Sequence, residues 1–142
     1  MKLAIVDDNK LEQELIFNTL RTYEHERNIS LDISSYSDGN SFLNTYVPGD
    51  FDLIFMDIYM EGMTGIDAVT AIRKIDSHVP VAFATTSTEF ALESYRLDAL
   101  KYIEKPVQKK AVMELLELAR FKKEQIPSLL LQISGKDPCI RR

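Results

Sequence analysis

Three carboxylates in this sequence stand where short apolar runs end. Asp57 closes the nearly continuous apolar run 51–57, and Asp7 and Asp8 follow the run 3–6. Such runs are typical of strands buried on both faces of a parallel sheet, and open α/β sheets place their chemistry beyond the carboxyl ends of those strands. Carboxylates about 4 Å apart repel by roughly 4 kcal/mol at an effective dielectric near 20, so a cluster needs a shared proton or a cation. Hard oxygen ligands with an open side suit Mg²⁺.

A hydroxyl and an ammonium follow two further apolar runs. Thr85 comes after the run 79–84, and Lys105 comes shortly after the run 100–103. With Asp57 and a divalent cation, they would supply a carboxylate nucleophile, a metal, a fixed positive charge and a hydroxyl. Those are the groups that forming and stabilising an aspartyl phosphate requires.

Each of these positions also has a simpler explanation. An aspartate at a strand end is often a turn residue or a helix cap, and Asp7 with Asp8 could merely favour the positive end of a helix dipole. Thr85 alone is more typical of a cap, and Lys105 alone of a loop. The agreement of four strand ends favours the chemical interpretation.

Hydrophobic periodicity predicts the elements that would position these groups. Asn9 as N-cap, with Glu12 as its capping-box partner, predicts a helix from about Lys10 to Arg27. Alternating apolar residues over 29–33 predict a half-exposed edge strand. The remaining predicted elements are a short helix carrying Phe42, Leu43, Tyr46 and Val47, a helix capped by Thr64 with Ile66, Val69, Ile72 and Ile75 inward, a strand over 79–84, a helix from about Glu89 to Arg96, a strand from about Leu100 to Ile103, and a last helix with the stripe Val112, Leu115, Leu116 and Ala119.

Five strands alternating with five helices predict a doubly wound α/β fold with a parallel sheet. The half-exposed second strand favours the flavodoxin-like strand order 2-1-3-4-5. In that order the first and third strands are neighbours, so Asp7, Asp8 and Asp57 share one crevice.

Composition narrows the class of protein. The chain has 142 residues, a formal net charge of −5 and a single cysteine, Cys139. One domain is the natural expectation at this length, and the acidic balance disfavours broad binding of DNA or an anionic membrane. One cysteine permits no internal disulfide, which predicts a reducing, cytoplasmic location. No apolar run approaches the roughly 18 residues of a membrane span, and we see no signal peptide.

The tail differs from the rest of the chain. We expect a boundary near residue 123, with 124–142 forming a linker and the possible start of a second domain. Pro127 is expected to end the last helix. The alternation of Leu129, Leu131 and Ile133 predicts a strand, with a strap on the first domain or disorder as alternatives.

The segments that follow the strands resemble those of two-component response-regulator receiver domains over about 1–123. The resemblance rests on Ile5-Val6-Asp7-Asp8-Asn9, Asp57-Ile58-Tyr59-Met60, Met63-Thr64-Gly65, Thr85 and Tyr102-Ile103-Glu104-Lys105-Pro106. It implies a signalling domain rather than an enzyme, phosphorylated by a sensor histidine kinase.

The resemblance also assigns roles to individual residues. Asp57 would accept the phosphoryl group, and Thr85 and Lys105 would hold its oxygens. Asp8, Asp57 and the backbone carbonyl of Tyr59 would bind Mg²⁺ or Mn²⁺ directly, with Asp7 acting mainly through water. Tyr102 would be the rotating aromatic of the switch, and the bond between Lys105 and Pro106 would be cis.

The segment 90–102 and the tail 129–133 are similar to receivers that precede a LytTR DNA-binding domain. This similarity implies a transcription regulator that contacts DNA only through an output domain absent from this chain. Phosphorylation would act on the face formed by the fourth helix, fifth strand and fifth helix, and would produce a homodimer through it. No membrane partner is expected.

Two positions beside the phosphoacceptor invite a separate hypothesis. Bulky Tyr59 lies two residues past Asp57, and Ser87 lies two past Thr85. Both flank the path of an attacking water. We expect Tyr59 to shield the phosphoryl group and slow its hydrolysis.

Three other functions compete with this interpretation. A haloacid dehalogenase-like phosphatase would carry its nucleophile on the first strand and a second aspartate two residues further on. Here the nucleophile would lie on the third strand, and the position two residues on is Tyr59. A flavin-binding module would need a hydroxyl-rich loop after the first strand, where this chain has Asp8-Asn9-Lys10. A receiver that is never phosphorylated would usually lack part of the acidic set, which is complete here.

Overall fold

The computed structural model describes the backbone of residues 1–134 and the side chains of residues 1–125. Strands and helices alternate along the chain, and the five strands form one sheet in the order β2-β1-β3-β4-β5 with every neighbouring pair parallel. The predicted doubly wound, flavodoxin-like fold is therefore confirmed. The elements are β1 (Lys2–Val6), α1 (Lys10–Arg27), β2 (Asp32–Tyr36), α2 (Gly39–Asn44), β3 (Leu53–Asp57), α3 (Gly65–Arg73), β4 (Val81–Thr85), α4 (Ala91–Arg96), β5 (Lys101–Glu104) and α5 (Lys109–Ser134).

The sheet is covered on both faces, as its apolar strands require. Every residue of β3 and β4 is buried. One apolar cluster joins the sheet to α1 and α5, and a second joins it to α2 and α3. In the β1–β3 pair, Leu3 lies opposite Leu53 and Val6 opposite Met56. This register brings the carboxyl ends of β1 and β3 side by side.

The edge strand β2 begins later than the alternation over 29–33 predicts. Asn28 ends α1 in the left-handed conformation, with φ of 54°. The next amide, that of Ile29, still donates to the carbonyl of Glu24 in the helix. The amide of Leu31 donates to the Glu24 carboxylate at 2.5 Å. These amides serve the helix end, so the ladder with β1 starts only at Asp32.

Three details of the predicted helices differ in the structure: the capping box of α1 and the ends of α2 and α3. Asn9 caps α1 by accepting the amide of Glu12, but its own amide donates to Asp7 rather than to Glu12, so no capping box forms. Helix α2 ends at Asn44, and Tyr46 lies beyond it. The Tyr46 hydroxyl donates a hydrogen bond to the carboxylate of Asp76 at 2.6 Å. Ile75, expected to point inward, lies past α3 and is 56% exposed.

Helix α5 confirms one prediction and contradicts another. Its stripe of Val112, Leu115, Leu116 and Ala119 is buried against the sheet. The helix then continues through Pro127 to Ser134, so neither the helix end at Pro127 nor the strand after it is observed. Proline inside a helix removes one amide bond and crowds the carbonyl of the preceding turn, at a cost of about 3 kcal/mol. The leucines and glutamine that follow it favour a helix, and extending a helix that has already formed costs little. The rest of the tail, including Cys139, lies outside the described residues.

Within the part of the chain that the structure describes, none of the helices combines the length and the apolar character that crossing a bilayer demands.

Candidate functional site

The two neighbouring strands β1 and β3 bring three carboxylates together. Asp57 is the last residue of β3, and Asp7 follows the last residue of β1. Asp7 and Asp57 are buried, with 2% and 4% of their surface exposed, whereas Asp8 is exposed. One carboxylate oxygen from each lies within 4.8 Å of the others. The convergence of these residues at one crevice is as the strand order predicts.

Lys105 supplies a positive charge to the same crevice. Its ammonium nitrogen lies 3.1 Å from Oδ2 of Asp7 and 3.3 Å from Oδ1 of Asp57. Its backbone amide donates to the carbonyl of Thr85 at 2.7 Å, which fixes the residue just beyond β5 against the end of β4. The bond between Lys105 and Pro106 is cis, in agreement with the resemblance.

The charges of the crevice shift its protonation equilibria. Burial, together with the charge of Asp7, raises the pKa of Asp57 to about 7, even though Lys105 acts to lower it. Burial alone would lower the pKa of Lys105, but the two carboxylates outweigh burial and raise it. Lys105 therefore stays charged at neutral pH, and the crevice carries an acidic excess that a further cation would relieve.

Asp7 and Asp8 differ in how many contacts their carboxylate oxygens already make. Asp7 Oδ1 accepts the amide of Asn9 at 2.9 Å, and its Oδ2 faces Lys105. Asp8 makes one long contact within the described residues, from the amide of Glu61 at 3.4 Å. Asp8 and Asp57 thus have oxygen lone pairs to offer a metal, and three clustered carboxylates are a donor set that fits a hard cation such as Mg²⁺.

Thr85, at the end of β4, has a buried hydroxyl without a partner. The residue is fully buried, and its Oγ1 makes no hydrogen bond within the described structure. A buried hydroxyl left unpaired is costly. A group entering the crevice with acceptor oxygens would satisfy it.

Gly65 allows α3 to start directly against the end of β3. A Cβ at this position would lie 2.0 Å from the carbonyl oxygen of Asp57, so only glycine fits. Thr64 caps α3 as predicted, and Gly65 is buried and is the first residue of the helix. Its amide donates to the carbonyl of Ile58 at 2.9 Å. The sequence signal for this contact was a glycine shortly after the Asp57 segment. A glycine lets two stretches of backbone approach closely.

Comparison with known proteins identifies the family of this chain. Residues 3–117 match the response regulator receiver domain family. The chain belongs to this family. The receiver is 25% identical over 138 residues to the sensory transduction protein LytT of Bacillus anthracis, an alignment that covers 96% of this chain and 54% of that protein. The chain spans about half the length of the curated relatives it matches first.

Solved structures place the receiver in the same fold. The response regulatory domain of mrkE from Klebsiella pneumoniae superposes with a TM-score of 0.75 and 28% identity, covering 88% of this chain and 99% of that one. The response regulator TrrA from Thermotoga maritima, solved in complex with Mg(2+)-BeF, gives a TM-score of 0.70 at 22% identity, covering 83% of this chain and 97% of that one. The sequence and structural relatives confirm that this is a receiver domain of a two-component system.

Two tyrosines hold the receiver's loop between β4 and α4. The Tyr102 hydroxyl donates to the carbonyl of Ser87 at 2.6 Å. The Tyr59 hydroxyl donates to the carboxylate of Glu89, and the Tyr59 ring packs edge-on against Phe90 with centroids 5.7 Å apart. The bond to Glu89 was not foreseen, because nothing in the spacing of residues 30 apart indicates it.

Proposed function

We propose that this receiver is switched by phosphorylation of Asp57, with the phosphoryl group supplied by a sensor histidine kinase. The observation that carries the proposal is the contact of a buried Asp57 carboxylate with Lys105, beside Asp7 and Asp8. A raised pKa in a crevice next to a fixed cation is typical of groups at functional sites.

The transfer uses Asp57 as the nucleophile. One of its carboxylate oxygens attacks the phosphorus of the phosphohistidine, the P–N bond breaks, and the electron pair leaves with the imidazole. Lys105 binds an oxygen of the transferred group and balances its charge, while the free hydroxyl of Thr85 donates to another oxygen. The product is an aspartyl phosphate on the chain.

The acidic crevice would hold Mg²⁺, or Mn²⁺, for this reaction. Asp8, Asp57 and the carbonyl of Tyr59 would be its ligands, and Asp7 would act through water because Asn9 and Lys105 already occupy its oxygens. When bound, the ion would neutralise negative charge on the phosphoryl oxygens. TrrA, which shares this fold, was solved in complex with Mg(2+)-BeF, which supports Mg²⁺ as the ion.

Thr85 and Tyr102 carry the signal out of the site. Thr85 moves toward the phosphoryl group to satisfy its hydroxyl, and Tyr102 follows into the vacated space while its hydroxyl holds the loop at Ser87. A phosphoryl group that binds one arrangement better shifts the equilibrium by that difference in affinity. The α4-β5-α5 face changes as a result.

The changed face forms a homodimer. Leu92 and Tyr95 on α4 are 57% and 81% exposed, and Leu118 on α5 is 41% exposed. Light scattering with beryllofluoride, a phosphoryl mimic, is expected to give a dimer that Tyr95→Arg weakens and Leu11→Arg, on α1, does not. A protein that stays monomeric under full occupancy contradicts this step.

The chain acts as the receiver half of a cytoplasmic transcription regulator. Its relatives of about twice the length include LytT, which supports a LytTR-type output domain that contacts DNA. The receiver is then 1–123, and 124–142 leads into the output domain, with α5 continuing across that boundary. In this role the chain is a signalling domain, not an enzyme acting on a separate substrate.

Phosphorylation by a small-molecule donor tests the function. The chain is incubated with acetyl phosphate and Mg²⁺ and resolved by phosphate-affinity electrophoresis. A retarded band that disappears with a chelator and in Asp57→Asn supports the proposal. A band that persists in Asp57→Asn contradicts Asp57 as the acceptor. The lack of any retarded band in the wild type contradicts the proposal and favours a receiver used only for protein interaction.

A further inference from the structure

A buried amide joins α1 to the carboxyl ends of β1 and β2. Gln13 is 8% exposed. Its Nε2 donates to the carbonyl oxygen of Asp7 at 2.5 Å and to that of Tyr36 at 3.2 Å. The Tyr36 carbonyl also accepts the amide of Asp7 at 3.0 Å. Gln13 therefore links the peptide groups at the ends of two neighbouring strands through one nitrogen.

The link bears directly on the orientation of Asp8. The carbonyl that Gln13 holds belongs to the peptide group joining Asp7 to Asp8, so this bond fixes the direction in which Asp8 leaves the strand. The Asp8 side chain has little other support within the described residues, since its contact with the amide of Glu61 is 3.4 Å long. The position of the Asp8 carboxylate therefore depends on the Asp8 backbone.

The choice of residue at this helix position indicates a polar task. The other buried positions of α1 are Ile16, Thr19, Leu20 and Tyr23. The hydroxyl of Thr19 bonds within its own helix, to Leu15 at 2.9 Å. Gln13 is the buried α1 residue whose side-chain polar contacts all lead to the strand ends. Burying an amide costs free energy unless it is hydrogen-bonded, and an apolar side chain would fill the same volume without that cost.

We propose that Gln13 is a positioning residue for the metal-binding side of the crevice, acting through the peptide group between Asp7 and Asp8. It touches neither the metal nor the phosphoryl group. The inference rests on the proposed function, in which Asp8 is a metal ligand. Outer partners that orient metal ligands typically change metal affinity by about 10- to 100-fold when they are removed.

The test compares Mg²⁺ affinity in two variants of α1. Gln13→Met keeps the length and volume of the side chain but removes the donor, and isothermal calorimetry is expected to show Kd for Mg²⁺ raised about tenfold. At saturating Mg²⁺ its phosphorylation rate by acetyl phosphate returns close to that of wild type. Thr19→Val, equally buried on the same helix, is the matched control, in which Kd stays at the wild-type value even if the thermal midpoint falls.

The outcomes separate this inference from the function on which it rests. A wild type that binds Mg²⁺ with a Gln13→Met variant of equal Kd overturns the role of Gln13 alone. A wild type that binds no Mg²⁺ overturns the proposed metal site as well. Should Gln13→Met fail to fold, the wild type decides by NMR. The Gln13 side-chain amide is expected to shift along the same Mg²⁺ binding curve as the Asp8 backbone amide, and an unmoved Gln13 resonance overturns the inference.

Discussion

The ammonium nitrogen of Lys105 lies 3.3 Å from Oδ1 of Asp57. The contact places a full positive charge on the carboxylate that the sequence marks as the nucleophile. Lys105→Met removes that charge, so the pKa of Asp57 rises further and the transferred group loses a partner. We expect the rate of phosphorylation by acetyl phosphate at pH 7 to fall about 100-fold, the usual cost of removing one preorganised donor.

The matched control for this variant is Lys101→Met. Lys101 is an exposed lysine on β5, four residues away in the chain and outside the crevice. Its loss is expected to leave the rate unchanged. Equal rates for Lys105→Met and wild type would remove Lys105 from the mechanism.

The raised pKa of Asp57 makes stability depend on pH in a defined direction. The folded chain holds this proton up to a pKa of about 7, whereas the unfolded chain releases it near the ordinary value of 3.8. The native state therefore binds more protons between these values, and the free energy of unfolding falls as pH rises from about 4 to 7. Asp57→Asn, which carries no charge, escapes this loss.

Urea unfolding with a chelator present measures the effect. The stability of Asp57→Asn relative to wild type is expected to increase between pH 5 and pH 8, by roughly 2–4 kcal/mol over the full titration. Asp32→Asn, at an exposed aspartate of β2, is the control and should show no such trend. A difference between Asp57→Asn and wild type that is flat with pH would show that the carboxyl titrates normally.

The unpartnered hydroxyl of Thr85 predicts opposite effects on stability and on ligand binding. Thr85→Val removes a buried polar group that has no partner in the described structure, so the unphosphorylated protein should be as stable as wild type or about 1–2 kcal/mol more stable. Its affinity for beryllofluoride should fall, because a donor is lost.

Thr85→Ser keeps the hydroxyl and should bind beryllofluoride nearly as well as wild type. Urea unfolding and a calorimetric titration with Mg²⁺ and beryllofluoride give the two quantities. If Thr85→Val binds the mimic as tightly as Thr85→Ser does, the hydroxyl has no role in holding the phosphoryl group.

We expect Tyr59 to lengthen the lifetime of a phosphorylated Asp57. Its ring packs against Phe90, and its hydroxyl bonds to Glu89 on the loop that leaves β4. Tyr59→Asn removes the shielding ring and is expected to shorten the lifetime of phospho-Asp57 several-fold, measured as loss of acid-labile phosphate after the donor is removed. Tyr59→Phe keeps the ring and loses only the bond to Glu89, so its lifetime should stay near that of wild type. An unchanged lifetime in Tyr59→Asn rules out shielding.

Strand-end residues were predictable from the sequence because the fold itself determines where they meet. Once short apolar runs fix a parallel sheet with β1 beside β3, Asp7 and Asp57 must lie at one edge. The same argument placed Lys105 and Thr85 beside them. These residues needed only element type, which local periodicity reports, and strand order, which follows from the half-exposed second strand and the known doubly wound arrangements.

The features that were missed depend on tertiary contacts or on competing local bonds. Glycine is required at position 65 because a Cβ there would lie 2.0 Å from the carbonyl oxygen of Asp57. The role of Gln13 depends on the carbonyls of Asp7 and Tyr36, at the ends of two strands. Strand β2 starts later than predicted because Asn28, in the left-handed conformation, ends α1 and the amide of Ile29 donates to a carbonyl of that helix. Pro127 did not end α5, because helix-favouring residues follow it and extend a helix that has already formed.

The central claim is that these side chains direct one phosphoryl group to one carboxylate. Intact mass spectrometry after incubation with acetyl phosphate tests it most directly, comparing wild type with Asp57→Ala in Mg²⁺ and in chelator. We predict that wild type gains the mass of a single phosphoryl group only with Mg²⁺, and that Asp57→Ala gains none. A wild type that keeps its mass in Mg²⁺, or an Asp57→Ala protein that gains the same increment, would contradict the account.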